Sequence, residues 1–249
     1  MGVEELKAEL TGLSTIEKLR YLANKYADRI IFSTSFGWED QAITHLIFAD
    51  DIPIKVFTLE TGRLFPETYY VWNRTLEAYN KPIHAYYPKN ELLQDMVNTK
   101  GPNSFYESVG NRKECCYIRK IEPLKRALTG NEIWVTGIRA EQSANREDMH
   151  DLEWDEGNQL IKFHPIFDWT LEDVKTFIKE NNIIYNTLHD KGFPSIGCAP
   201  CTRAVQPGED FRAGRWWWED QSKKECGLHA TEAVELEGKK VEGRRFEGD

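Results

Sequence analysis

Apolar residues along the first two-thirds of the chain alternate between two spacings, and those spacings set the expected elements. Ser14-Thr15-Ile16-Glu17 is a capping box, and Ile16, Leu19, Ala23 and Tyr26 fall on one face of the helix it opens. Ile30-Ile31-Phe32 is a short, wholly apolar run that predicts a buried strand ending in the turn Ser33-Thr34-Ser35-Phe36-Gly37. Helical spacing returns from Glu39 through Ile43, Leu46 and Ile47. Ile54 to Leu59 predicts a second strand and Thr61-Gly62-Arg63 a loop, while Pro66 suits the first turn of the next helix. Further strands are expected at Ile83 to Tyr87 and Glu132 to Thr136, with helices over Glu91 to Val97 and Cys116 to Leu128. Strand and helix alternate, so the fold class is α/β: a Rossmann-like parallel sheet flanked by helices on both faces.

After Gly137 the pattern loosens. Thr170-Leu171-Glu172-Asp173 caps one further helix through Val174, Phe177 and Ile178. From Asn181 to Cys226 periodicity gives way to Gly, Pro, Arg, Trp and Cys, an irregular C-terminal segment of the kind that carries function. The tail from Glu235 reads as mobile. No internal repeat is present. His45 and His84, in apolar surroundings, are expected in the core, and at least one residue of Trp216-Trp217-Trp218 is expected to be packing.

Composition narrows the picture. The 249 residues are 40% hydrophobic and 29% charged, an ordinary globular balance. Lys plus Arg is 32 and Asp plus Glu 41, a net charge of −9 that argues against nucleic acid or an anionic membrane as a partner. The best apolar stretch, Gln41 to Ala49, is too short to span a bilayer, and Met1 to Leu6 has no signal-peptide pattern. Gly2 invites comparison with a myristoylation site, but Leu6 stands where Ser or Thr is wanted. A cytoplasmic location is the simplest expectation.

Five cysteines are too few, and odd in number, for a disulfide framework. Cys115-Cys116 and Cys198-Ala199-Pro200-Cys201 form two pairs that would supply four thiolates to an iron–sulfur cluster or a structural zinc. Adjacent cysteines fit a cluster, with its separate irons, more easily than a single ion. The alternative for Cys198 and Cys201 is a thioredoxin-like redox pair, but those follow an early strand and this pair is late. Cys226 is left over, and Lys223, Lys224 and His229 nearby favour its thiolate.

Three loops fall at one edge of the expected sheet. Ser33 to Asp40, with Ser35 and Gly37, is a candidate phosphate cradle without a Walker lysine. Thr61-Gly62-Arg63 and Gly137-Ile138-Arg139 follow other strands, with Gln142, Ser143 and Arg146 trailing. Hydroxyls and arginines so placed suit a nucleotide with acidic groups. Lys120 follows the first cysteine pair, and Arg203, Arg212 and Arg215 follow the second; singly each is expected to be a solvated surface charge, but as a set beside thiolates and loops they read as an anion site.

In this combination the chain resembles the adenylyl-sulfate reductases of sulfate assimilation, over most of its length from about Ser33 to His229. Cys115-Cys116, Cys198-x-x-Cys201, Thr61-Gly-Arg-Leu-Phe-Pro-Glu-Thr68 and Glu225-Cys-Gly-Leu-His229 carry the resemblance. Arg119-Lys120 with Pro123-Leu124, Gly137 to Arg146, and Arg212 to Trp216 extend it. The resemblance implies an adenine nucleotide alpha-hydrolase-like fold and adenosine 5′-phosphosulfate as substrate. It implies that Cys226 attacks the sulfur and expels AMP, and that thioredoxin reduces the S-sulfocysteine to release sulfite. Cys115, Cys116, Cys198 and Cys201 would hold a 4Fe-4S cluster that keeps its redox state, with Lys120 between cluster and substrate. Arg139, Arg146, Arg212, Arg215 and His229 would contact or neutralise the phosphosulfate, and Ser35, Gly37, Arg63 and Gly137 complete the substrate-binding set.

The chain then divides into residues 1–205, a nucleotide-binding reductase domain with the cluster cysteines, and 206–249, carrying the Arg-rich loop, catalytic Cys226 and tail. The resemblance is also compatible with a homo-oligomer. Ser33 to Asp40 lacks the Ser-Gly-Gly-x-Asp-Ser core of the ATP pyrophosphatases, which argues against ATP cleavage. Phe36 and Trp38 are bulky for such a loop. A reductase of the 3′-phosphorylated substrate, or one of dual specificity, is the nearest alternative. A pyrophosphatase-type thiolation enzyme and a non-enzymatic cluster sensor, which would need no Cys226, are the others.

Overall fold

The structure, a computed structural model, describes residues 2–142 and 149–219. Its elements run α1 (Val3–Leu10), α2 (Thr15–Lys25), β1 (Ile30–Ser33), α3 (Trp38–Ala49), β2 (Lys55–Leu59), α4 (Pro66–Tyr79) and β3 (His84–Tyr86). There follow α5 (Asn90–Lys100), α6 (Val109–Cys116), α7 (Glu122–Leu128), β4 (Ile133–Val135), β5 (Leu152–Asp155), β6 (Leu160–Phe163) and α8 (Leu171–Glu180). The starts are set by the signals in the sequence. Ser14 Oγ accepts from Glu17 N while Glu17 Oε2 accepts from Ser14 N, and Thr170 and Asp173 repeat the exchange on α8. Pro66 is the first residue of α4.

The strands form one sheet in the order β3-β2-β1-β4-β6-β5, parallel except for β5, which pairs antiparallel with β6. Side chains alternate between its two faces, as the pleat requires. Ile30 and Phe32 of β1, Ile133 and Val135 of β4, and Ile161 and Phe163 of β6 join one buried cluster with Leu19, Leu22, Ile43, Ile47, Val174 and Ile178. Ile31, Trp134 and Leu160 point the other way and pack with Leu124, Ala127 and Leu128 of α7. Both faces are therefore covered, which explains why β1 and β4 read as unbroken apolar runs.

The β5–β6 pair has no counterpart in the sequence-based expectation. Lys162 sits in its interior, 4% exposed, held 2.9 Å from Asp155 and over the Trp134 ring. Two charges inside a strand pair interrupt the apolar pattern that would reveal it. Cys116 to Leu128 is more than one helix: α6 begins at Val109 and passes through a π turn, Tyr117–Ile121, into α7.

His84 departs from expectation. It lies on β3, an edge strand, and is exposed. His45 is half-buried at the rim of the core, its Nδ1 2.7 Å from the Tyr79 hydroxyl. Trp216 is the packed member of the tryptophan triplet, 1% exposed, while Trp217 is exposed. Residues 181–219 contain turns and one isolated bridge, Thr202 to Arg215, but neither α-helix nor strand, in keeping with an irregular segment.

Candidate active site

The chain runs from β1 outward through β2 to β3, then returns to the other side of β1 for β4. Loops leaving β1 and β4 at their carboxyl ends thus diverge, and a crevice opens between them, as is usual where the strand order reverses. A cavity of about 260 Å³ occupies that crevice. Ser35 and Gly37 after β1, Leu59 at the end of β2 and Thr61 beyond it, and Gly137 and Ile138 after β4 line it. Lys120 from the π turn, Gly197 and Cys198, and Arg212 and Arg215 complete the wall.

The loop after β1 is held from within. Asp40 Oδ2 accepts from both Ser35 N and Ser35 Oγ at 2.6 Å, which fixes the turn over the first residues of α3. Burial pushes the Asp40 carboxyl up to about 6, against the lowering effect of the two Ser35 hydrogen bonds. Phe36, at φ 63°, turns inward to stack on Trp72, and Trp38 stacks on His189 at 4.0 Å. The two bulky residues of this loop are thus accommodated by packing. Gly137 allows the close approach of β4: a Cβ there would stand 2.3 Å from Asp40 Oδ1.

A second, smaller cavity of about 20 Å³ adjoins the first, and all four cysteines of the two pairs line it. α6 delivers Cys115 and Cys116, and the turn Ala199–Cys201 delivers Cys198 and Cys201. Cys198 Sγ donates to Thr61 Oγ1 at 3.4 Å. Burial, reinforced by Cys198 and Cys116, pushes the Cys201 thiol up to about 12. Burial also raises Cys115, opposed by the Arg119 guanidinium. Among the described residues no three His, Cys, Asp or Glu side chains group closely enough to hold a metal ion. The donor set itself is four thiols, ringed by Arg63, Arg112, Arg119 and Lys120. Buried thiols of this kind give up their protons when a strongly positive metal centre binds.

Lys120 and Cys198 line both cavities. Lys120 lies within the π turn, one residue beyond Arg119.

The expected site residues therefore divide. Ser35, Gly37, Gly137, Lys120, Arg212 and Arg215 meet around the larger cavity, and the cysteines around the smaller. Arg63 does not line the larger cavity: it borders the cysteine cavity, donating to Asn103 Oδ1 at 3.1 Å and lying over the Phe105 ring. Arg139 is also absent from the lining. It is 1% exposed, with Nε 2.9 Å from Glu39 Oε1 and Nη1 2.8 Å from Glu141 Oε2, so its charge is already committed. Arg146, Cys226 and His229 lie outside the described residues.

Two further arginines are buried: Arg119, marked in the sequence only by the Arg119-Lys120 run, and Arg112, which had no distinguishing signal there. Arg119 donates to the Thr61 carbonyl from beneath the cysteine cavity. Arg112 makes a two-pronged pair with Glu219, both bonds 2.9 Å, and lies over the Trp216 ring. Chemically, the larger cavity offers cations and a helix N-terminus to an anion, and Leu59, Ile138 and Trp134 among its lining to an apolar ring.

Comparison with known proteins agrees with this geometry. Residues 29–204 match the family model "Phosphoadenosine phosphosulfate reductase domain". The adenosine 5′-phosphosulfate reductase of Allochromatium vinosum is 49% identical over 82% of this chain and 80% of its own length. The phosphoadenylyl-sulfate reductase of Candida auris, solved as a phosphate complex, is 28% identical with a TM-score of 0.69, over 82% of this chain and 96% of that one. FMN adenylyltransferase of Candida glabrata shares the fold, with a TM-score of 0.51 at 14% identity over 94% of this chain and 85% of that one. The chain belongs to the phosphoadenosine phosphosulfate reductase family.

Proposed function

We propose that this chain reduces adenosine 5′-phosphosulfate to sulfite and AMP. The observation that carries the reading is the shared wall: a cavity suited to a nucleotide adjoins a cavity lined by four cysteines, and Lys120 and Cys198 belong to both. Relatives at this level of identity named as adenosine 5′-phosphosulfate reductases support the same substrate.

In the proposed reaction the Cys226 thiolate attacks the sulfur of the phosphosulfate. A sulfur–sulfur bond forms as the sulfur–oxygen bond to AMP breaks, and AMP leaves with the electron pair. A thiolate of reduced thioredoxin then attacks the Cys226 sulfur and expels sulfite with the electron pair of the broken sulfur–sulfur bond. The second thioredoxin thiol resolves the mixed disulfide and returns Cys226 to its thiol. Attack by an anion on an anionic group is opposed by charge, and Lys120, Arg212 and Arg215 offset that opposition and stabilise the departing phosphate. Arg146 and His229 are assigned to the same anion. Arg139 acts indirectly, holding Glu39 at the mouth of α3. Ser35 and Gly37 present the turn before α3 to the phosphate.

Cys115, Cys116, Cys198 and Cys201 are the proposed ligands of a 4Fe-4S cluster, which when bound would supply local order and electrostatics without exchanging electrons. Residues 1–205 form the binding body and 206–249 carry Arg212, Arg215 and Cys226 to it. A reducing, cytoplasmic setting suits this thiol chemistry. No helix among the described residues is long and apolar enough to cross a membrane.

The likeness to the Candida auris phosphoadenylyl-sulfate reductase favours a second reading, in which the substrate carries a 3′-phosphate. Sulfite release by anaerobically purified protein with reduced thioredoxin, measured with each nucleotide in turn, separates the two. Turnover with the unphosphorylated nucleotide alone is the expected result. Turnover with the 3′-phosphorylated one alone would reverse the assignment, and turnover with neither would end it.

A further inference from the structure

His189 is a wall residue of the larger cavity that none of the chemistry above employs. It lies in the short turn His189–Lys191 and is 8% exposed. Its ring is pinned on two sides. Trp38 stacks on it with centroids 4.0 Å apart and planes 17° from parallel, and Lys175 lies over the Trp38 ring. At its edge, Nδ1 is 2.8 Å from the Phe193 carbonyl oxygen.

That last contact fixes the tautomer. A carbonyl oxygen only accepts, so the proton must reside on Nδ1. Burial lowers the tendency of the ring to take a second proton, despite the nearby carboxylates of Glu39 and Asp190. Nε2 is therefore a bare acceptor. It is buried, and among the described residues no donor reaches it. A buried acceptor without a donor is costly, and one in a cavity wall calls for a partner.

We propose that His189 Nε2 accepts a hydrogen bond from the nucleoside half of the bound nucleotide, and so selects for a ligand that carries a donor there. The inference rests on reading the cavity as an adenine-nucleotide site. The phosphate and sulfate groups of that ligand carry no donor when ionised. Only the exocyclic amine of adenine and the two ribose hydroxyls do. Rigid stacking on Trp38 and the bond to Phe193 mean that little ordering remains to be done when the donor arrives.

Binding of AMP to the full-length protein, by calorimetry, tests this. The same titration is run with 2′-deoxy-AMP, 3′-deoxy-AMP and inosine monophosphate, which remove the three donors one at a time. Two variants divide the ring. His189→Asn keeps an N–H for the Phe193 carbonyl but ends short of Nε2, whereas His189→Gln places an acceptor oxygen about where Nε2 was. The expected result is about tenfold weaker AMP binding for His189→Asn and recovery of most of that loss in His189→Gln. One analogue should bind the unaltered protein about tenfold less well than AMP yet bind His189→Asn as well as AMP does, and it identifies the donor.

Equal AMP affinity in His189→Asn and the unaltered protein would overturn the inference. So would an equal loss for AMP and all three analogues, because a merely structural role moves them together. Failure of the unaltered protein to bind AMP would overturn the nucleotide reading itself, and the inference with it. Should His189→Asn not fold, His189→Phe keeps the stack on Trp38, lacks the acceptor and is judged by the same outcomes.

Discussion

Gly137 and Asp40 show how closely single atoms define the cavity. With a Cβ 2.3 Å from Asp40 Oδ1, Gly137→Ala must displace either the carboxyl that holds the Ser35 turn or the end of β4. AMP affinity is expected to fall about tenfold or more, with calorimetry as the check; an unchanged affinity would mean the loop adjusts freely. Asp40 also has a consequence in pH. Its folded-state carboxyl titrates near 6 rather than at the usual 3.8, so between those values the native chain holds a proton that the unfolded chain has lost. Its contribution to stability is therefore full below about pH 4, falls as pH rises to about 6, and is level above that. Thermal melts of the unaltered protein and Asp40→Asn, compared from pH 4 to 7, should show the unaltered protein losing ground to the variant across that window. Parallel melts would contradict it. At this scale the sequence is legible where chemistry is rare: two cysteine pairs and one glycine-bearing turn announce themselves. Arg112 does not, and the motifs that mark Arg119 and Arg139 do not reveal that both are buried, because a buried arginine is spelled like a surface one.

Among the elements, the passage from α6 through the π turn to α7 does the most to position chemistry, since it presents cysteines, Arg119 and Lys120 in succession. Its first turns are clamped to the far end of the described chain by Arg112 and Glu219, whose side chains are 3% and 5% exposed. Removing one partner leaves the other charge buried alone. Arg112→Met should cost about 3 kcal/mol or more in urea unfolding, and adding Glu219→Leu should restore much of it. Additive losses would show that the pair is not coupled. Helices with capping boxes and wholly apolar strands were readable in advance, down to Pro66 at the head of α4. The β5–β6 pair was not, since Lys162 and Asp155 satisfy each other only once the strands are side by side. Arg63 was placed at the nucleotide because its loop leaves the correct sheet edge. Asn103 and Phe105 turn it toward the cysteines instead, a tertiary effect that loop position does not reveal.

Over the whole molecule, the strand order opens one crevice, and two adjoining cavities there share Lys120 and Cys198. Strand–helix alternation was enough to foresee a parallel sheet with three loops at one edge, and the two cysteine pairs enough to suggest that they meet, as they do along one cavity. Their contact through a common wall needed the fold. The proposed chemistry requires a thiol supplied to that wall from the C-terminal segment, and one experiment addresses this directly. Anaerobically purified protein is mixed with adenosine 5′-phosphosulfate in the absence of thioredoxin, and its intact mass is recorded beside that of Cys226→Ser. A single sulfite-mass adduct, mapped to Cys226 and absent from the variant, is the expected result. No adduct on protein that demonstrably binds AMP, or an adduct that persists in Cys226→Ser, would contradict the proposed mechanism.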